Sequence, residues 1–295
     1  MADEPRISVV IAAFQAEAFL AEAVQSALWQ TRAPLEIVIV DDASTDATLT
    51  VAERLADRYG SVRVFGLAEN HGPAATRNHG IRQCRGDWIA ILDDDDAFEP
   101  DRLEKIGDFL VENEGQIDIV SDLLTWIRND GAVAPDFEID QLAMPIGLAE
   151  FIVRSRPLLP TPDLGLLKPV FRKAFLDERN LYYPANHRHG EDYLLMVTAL
   201  TAGARYHVLP WYGYRYTDRS VGRSRTRVDY RCMRQADEAL RAWPQIRSDA
   251  AASRALEQRM TALRELELEM MPVYRKLLRG EIRRVYWDLA RRLSS

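Results

Sequence analysis

Residues 86–100, GDWIAILDDDDAFEP, put four consecutive carboxylates directly behind a short apolar run. Residues 88–92 are rich in aromatic and β-branched side chains and do not alternate, the pattern of a strand buried on both faces. Gly86-Asp87 marks a turn before it. Pro100-Asp101 restarts the chain as a helix, with proline near the first turn and acids at its positive end. Asp93 to Asp96 therefore fall where a strand ends and a loop begins, the edge of an open α/β sheet at which ligands bind. Two readings fit: a solvated acidic loop, or a site where a hard cation relieves the repulsion and also holds phosphate oxygens. Placement behind a buried strand favours the second, because a structural loop gains nothing by crowding like charges there.

The chain before this stretch alternates strands and helices. Residues 7–12 (ISVVIA) and 35–40 (LEIVIV) read as strands, residues 17–30 and 47–59 as helices. A third short strand at 61–65 precedes a loop at Gly72-Pro73 and a helix over 74–82 bearing Arg77 and Asn78. Such alternation implies a parallel sheet with helices on both faces. The second strand ends in DDASTD, where Ser44 or Thr45 is placed to cap the next helix. Asp41 and Asp42 suit either capping or hydrogen bonding to a ribose or base. No GxGxxG follows the first strand and no GxxxxGK[ST] occurs, which disfavours dinucleotide dehydrogenases and P-loop NTPases. A nucleotide diphosphate would instead be held through a metal.

The second half is less regular. A strand is expected at 117–120, an excursion at 131–144, a short helix at 148–154, and a proline-rich ordered loop at 155–169, of a length that is often functional. Regular structure resumes at 170–175. HRHGEDY (187–193) then leads into an apolar helix running to Thr201, so Glu191 and Asp192 stand at a helix N-terminus. Acids are favoured there by the dipole alone; the functional alternative is a general base at a pocket's edge. His187 and His189 lack a third metal partner and read as surface residues. The aromatic stretch 206–216 suits a strand or hairpin. Residues 218–227, with Arg219, Arg223, Arg225 and Arg227, suit either a phosphate-meeting lid or a surface loop. From residue 229 onward charged helices are expected at 230–242 and 249–271. After Pro272 comes a basic amphipathic helix, fit for an anionic membrane surface or for packing on the catalytic domain or a second subunit.

The 295 residues suffice for one large domain or a domain with an appendage. A hydrophobic fraction of 47% indicates a globular chain, and a net charge of −7 argues against bulk nucleic-acid binding. No apolar run reaches the roughly 18 residues of a membrane span. The acidic N-terminus lacks a signal-peptide pattern. Cys84 and Cys232 fit no zinc or disulfide framework, so a reducing cytoplasm is the expected compartment.

Five signals in order, ISVVIAAFQ, IVIVDDASTD, HGPAATRNHGI, WIAILDDDDAFEP and HGEDY, resemble family 2 glycosyltransferases of the GT-A fold, of the bacterial cell-surface polysaccharide type. The match spans about residues 6–220. It implies a Rossmann-like, mostly parallel nucleotide-sugar-binding sheet flanked by helices. The catalytic domain would occupy 1–228, with a nucleotide-sugar half to about 115 and an acceptor half from 116, and a C-terminal helical appendage 229–295. By this resemblance Ala12 and Phe14 border the nucleotide, Asp42 matches the carboxylate that bonds uracil, and Arg77 falls in an ARN-like stretch near the nucleotide. Asp93 and Asp95 match the outer members of the DxD motif. Asp95 would ligate Mn²⁺ or Mg²⁺, with Asp93 or Asp94 contacting ribose or water; four aspartates admit registers one residue apart, so Asp93 is a second candidate ligand. Asp192 matches the catalytic base, with Glu191 beside it orienting the acceptor. The sequence departs from the family at Phe14-Gln15, where Tyr-Asn is usual, so a tyrosine hydroxyl is missing there.

The implied reaction is an inverting transfer from a nucleotide-sugar, a UDP-hexose, to a saccharide or lipid-linked saccharide acceptor at the inner face of the cell membrane. Peripheral membrane association or a homodimer through the C-terminal helices would be compatible with it. The alternatives are a nucleotidylyltransferase, which wants a basic glycine-rich loop that residues 12–17 lack, and a catalytically inactive scaffold, against which Asp95, Glu191 and Asp192 argue.

Overall fold

The computed structural model describes residues 4–127, 133–135, 145–156, 163–185, 190–217 and 229–277. Its centre is β1 (Ile7–Ala13), whose Val9, Val10 and Ile11 are wholly buried because the strand has neighbours on both edges and helices on both faces. β1 pairs in parallel with β2 (Glu36–Asp41) on one side and β4 (Trp88–Asp93) on the other, and β3 (Val62–Gly66) extends the sheet beyond β2. α1 (Leu20–Leu28), α2 (Thr48–Arg58) and α3 (Pro73–Gln83) make the crossovers. α3 lies close against β1, and a Cβ on Gly80 would come within 2.6 Å of Val10 Cγ1.

Beyond β4 the sheet turns mixed. β8 (Val170–Arg172) pairs antiparallel with β4 and with β6 (Ile119–Ile127). β6 pairs in parallel with β9 (Tyr206–Thr217), β9 carries β5 (Ala97–Phe98) at the far edge, and β7 (Val133–Pro135) adds to β6. The stretch expected as a strand or hairpin is thus one continuous strand. Its Pro210 falls where the β6–β9 register shifts, between Val208 and Tyr212, because a bulge has no ladder bond for proline to break. α4 (Arg102–Glu112), α5 (Leu148–Arg154), α6 (Lys173–Arg179) and α7 (Glu191–Thr201) pack around this half.

Ser44 and Thr45 do not cap α2. Their hydroxyls accept from the backbone N–H and the side-chain amide of Gln15, tying the loop after β1 to the loop after β2, and the Asp46 carboxylate accepts the Thr48 N–H instead. At the C-terminal end come α8 (Tyr230–Leu240), α9 (Pro244–Ser248) and α10 (Ala250–Leu277). α10 runs through Pro272, where a break was expected; the lost backbone bond, about 3 kcal/mol in a helix interior, does not end it. Ala236, Leu240, Ala252, Ala255 and Leu256 join the same hydrophobic cluster as Phe151 and Ile152. Buried Arg259 of α10 donates to Ser155 O at 2.9 Å, pairs with Asp237, and lies 3.6 Å over the Tyr193 ring of α7. Among the described residues no helix is long and apolar enough to cross a membrane. Residues 278–295, 218–228 and 186–189 lie outside the described residues, and with them the basic terminal segment, the arginine-rich stretch and both histidines.

Candidate active site

The carboxyl ends of β1, β2 and β4 meet at one edge, where register sets Ala12 between Val40 and Asp93. Just past β1 the Phe14 N–H donates to Asp94 Oδ2 at 2.9 Å, so the first loop is moored on the aspartate run. Past β2, Asp42 is buried, and its two oxygens each accept a backbone N–H at 2.8 Å, from His71 and from Gly72. Gly72 takes φ +84, and Pro73 then opens α3. Asp42 thus holds the entry to α3, and any nucleotide contact it makes is added to that work.

α3 buries polar residues on its sheet-facing side. Arg77 Nη2 donates to Asp93 Oδ1 at 2.7 Å and Nη1 to Glu191 Oε1 at 3.1 Å; Asp192 Oδ1 lies 3.7 Å from the same Nη1. The guanidinium sits 5.4 Å from the Tyr183 ring centroid. Asn78 exchanges two hydrogen bonds with the Tyr183 backbone, 2.7 and 2.8 Å, and so pins the segment leading toward α7. Opposite Arg77 stands a second buried cation. Lys168 Nζ lies 2.9 Å from Asp93 Oδ2 and 3.2 Å from Asp192 Oδ2. Three carboxylates, Asp93, Glu191 and Asp192, therefore share two cations.

The electrostatics follow from that arrangement. Burial pushes Asp93 toward the neutral form, but Lys168 and Arg77 outweigh it and hold its carboxyl well below the usual range. Burial likewise opposes the charge of Arg77 and Lys168, and the carboxylates around them, Asp93 and Asp192 foremost, outweigh it and hold both above their ordinary values. Glu191 is raised by burial and then by Asp192. Burial, followed by the negative charge of Asp95 and Asp93, lifts Asp94 to about 7 against the Phe14 hydrogen bond. Asp96 is raised by burial and by Asp93 and Asp95. It accepts from Tyr214 Oη and from the Thr217 N–H, both at 2.8 Å, and ties the run to β9.

The four aspartates therefore have different work. Asp94 moors the first loop, Asp96 moors β9, and Asp93 spends both oxygens on cations. A metal on Asp93 would share its carboxylate with Lys168 and Arg77 and would stand beside their two positive charges. Asp95 is partly exposed on the same loop. Among the described residues no three His, Cys, Asp or Glu side chains converge as a metal cage. A hard cation shared with a phosphate-bearing ligand would need no such cage, and the burial, followed by the charges of Asp95 and Asp93, that lifts Asp94 to about 7 is a cost that a nearby cation offsets.

Arg77, Asp93, Glu191 and Asp192 come together; Ala12, Phe14, Asp42, Asp94 and Asp95 line the adjoining edge. Lys168 was missed. Its only signal is a lone lysine in the apolar stretch LGLLKPV, a residue almost never buried unless paired.

A mixed sheet with parallel nucleotide-side strands, acidic strand ends and flanking helices is the GT-A architecture of glycosyltransferases. S. aureus TarS 1-349 in complex with UDP-GlcNAc has a similar fold, with a TM-score of 0.67 and 24% identity, covering 85% of this chain and 71% of that one. The family model for glycosyl transferase family 2 matches residues 8–135. Succinoglycan biosynthesis protein ExoU of Rhizobium meliloti is 36% identical over 254 residues, 84% of this chain and 72% of ExoU. ExoO of the same organism is 36% identical over 266 residues, 88% and 74%. The chain belongs to glycosyl transferase family 2 and is a glycosyltransferase.

Proposed function

We propose that the protein transfers a sugar, with inversion and metal assistance, from a UDP-hexose to a saccharide or lipid-linked saccharide in surface polysaccharide synthesis. The observation that carries this reading is the grouping of Asp93, at the end of β4, with Glu191 and Asp192 around Arg77 and Lys168. A donor-side carboxylate and a candidate base are held at fixed spacing on separate elements. The similarity to ExoU and ExoO supports the polysaccharide role, and the donor bound to the TarS neighbour supports a UDP-sugar.

In this mechanism Asp192 takes the proton of the acceptor hydroxyl as its oxygen attacks the anomeric carbon. The bond from that carbon to the diphosphate breaks, and UDP leaves with the electron pair. Glu191, held by Arg77, orients the acceptor, and Asp93 keeps both cations in place. Asp95 would hold Mn²⁺ or Mg²⁺, whose Lewis acidity would ease departure of the diphosphate.

The test is UDP release from a panel of UDP-sugars, with Mn²⁺ or Mg²⁺ and with EDTA, for wild type, Asp95→Ala and Asp192→Asn. Metal-dependent release abolished in Asp95→Ala is expected, together with a loss of about 10²–10⁴-fold in Asp192→Asn at intact UDP binding. Absence of both release and calorimetric UDP binding would sink the nucleotide-sugar reading.

A further inference from the structure

Lys168 has no assigned part in that chemistry, yet the fold holds it at both ends. Its side chain is 6% exposed at the entry to β8, and its ammonium reaches Asp93 Oδ2 at 2.9 Å and Asp192 Oδ2 at 3.2 Å. Its carbonyl oxygen accepts from Arg102 Nη2 at 2.8 Å. Arg102 is wholly buried and is clamped in turn by Asp122, with Nη2 to Oδ1 at 2.6 Å and Nε to Oδ2 at 2.8 Å. A buried ion pair set on a buried backbone anchor leaves the ammonium little room to move.

The effect falls on Asp192. Its Oδ2 takes the lysine, whereas its Oδ1 is buried, accepts no hydrogen bond among the described residues, and stands 3.7 Å from Arg77 Nη1. An ionised carboxylate has several acceptor positions, and a buried oxygen without a donor is costly until one arrives. Arg77 is the cation nearest to that oxygen, so Lys168 and Arg77 hold the carboxylate from its two sides. Without Lys168, Asp93, Glu191 and Asp192 would face the single guanidinium of Arg77, and repulsion would turn Asp192 away.

We propose that Lys168 is a positioning residue for the transfer: it ties Asp192 to Asp93 and so holds the carboxylate that receives the acceptor's proton. The inference rests on Asp192 being the base. The proton moves from the acceptor hydroxyl to Asp192, and Lys168 keeps its three protons throughout.

Lys168→Met, Lys168→Arg, Asp192→Asn and the Lys168→Met/Asp192→Asn double variant test this. UDP release would be followed from UDP-glucose or UDP-N-acetylglucosamine, whichever the wild type cleaves faster, with water as acceptor and kcat and KM resolved. UDP binding is measured by calorimetry. Lys168→Met is expected to lower kcat about 10²-fold, the scale of a 1 Å misplacement, with KM and UDP affinity within about threefold. Lys168→Arg, which keeps the charge, should recover about tenfold of that loss. The double variant should be no slower than Asp192→Asn alone within about threefold, because the two act as one unit. Three outcomes each overturn the proposal: an unchanged kcat in Lys168→Met, a loss confined to KM and UDP affinity, or multiplied losses in the double variant. Should Lys168→Met not fold, the kcat of Lys168→Arg decides, since a purely structural charge predicts wild-type kcat. Failure of the base assignment shows separately, as wild-type release by Asp192→Asn.

Discussion

The Arg77 guanidinium donates to Asp93 across 2.7 Å, joining a helix behind the sheet to the end of a central strand. Its other terminal nitrogen reaches Glu191 at 3.1 Å, so one planar fork spans both sides of the site. Lysine offers a point charge on a shorter side chain, without the two separate nitrogens by which Arg77 reaches Asp93 and Glu191. Arg77→Lys should slow UDP release about 10- to 100-fold, matching the roughly 1.5–3 kcal/mol of a hydrogen bond to a charged group. Steady-state UDP release measures it, and a wild-type rate would show that one contact suffices.

Asp42 accepts two backbone N–H bonds at the entry to α3. In Asp42→Asn an amide NH₂ faces one of those donors, at a cost of about 1–3 kcal/mol. The melting temperature and the UDP affinity should fall together, since Arg77 rides on the same helix. Calorimetry of both would refute this if affinity dropped with the melting temperature unchanged.

The Arg102–Asp122 pair is wholly buried, with Arg102 4.3 Å from the Phe98 ring centroid. Asp122→Ala leaves a buried guanidinium uncompensated, which should cost about 3–5 kcal/mol in denaturant unfolding. A loss below 1 kcal/mol would mean that water or another acceptor reaches Arg102.

Burial pushes Asp118 up, but hydrogen bonds from Arg205 and Arg172 outweigh it and bring its carboxyl down to about 2 from 3.8. A depressed folded value stabilises the protein above the unfolded value, and that stability is lost as pH falls through the folded one. Asp118→Asn should therefore melt below wild type at pH 7, and the gap should shrink as pH drops from about 4 toward 2. A gap independent of pH would refute the ion-pair account.

Apart from β5, two residues whose pairing comes from β9, the strands and helices of the first 115 residues were legible because each carries its own signal. Apolar runs end in aspartates, helical spacing follows, and Gly72-Pro73 marks an entry. Even there the roles of Ser44 and Thr45 were not, since a hydroxyl bonds whichever donor the fold brings near, and here that donor is Gln15 from another loop. β9 was legible as aromatic and strand-like; its parallel pairing with β6, and the bulge that admits Pro210, depend on a partner more than 80 positions away.

By itself the sequence determined which side chains carry charge and which strand ends hold carboxylates: local pattern sets secondary structure, and secondary structure sets where Asp93 to Asp96 and Glu191-Asp192 stand along the chain. Only the tertiary structure decided how those charges are shared. Asp93, Arg77, Lys168 and Asp192 come from four separate segments, and a hydrogen bond or ion pair forms at about 3 Å whatever the distance in sequence. Four adjacent aspartates that look alike in sequence thus became different groups, because Phe14, Tyr214 and the two cations each met a different one.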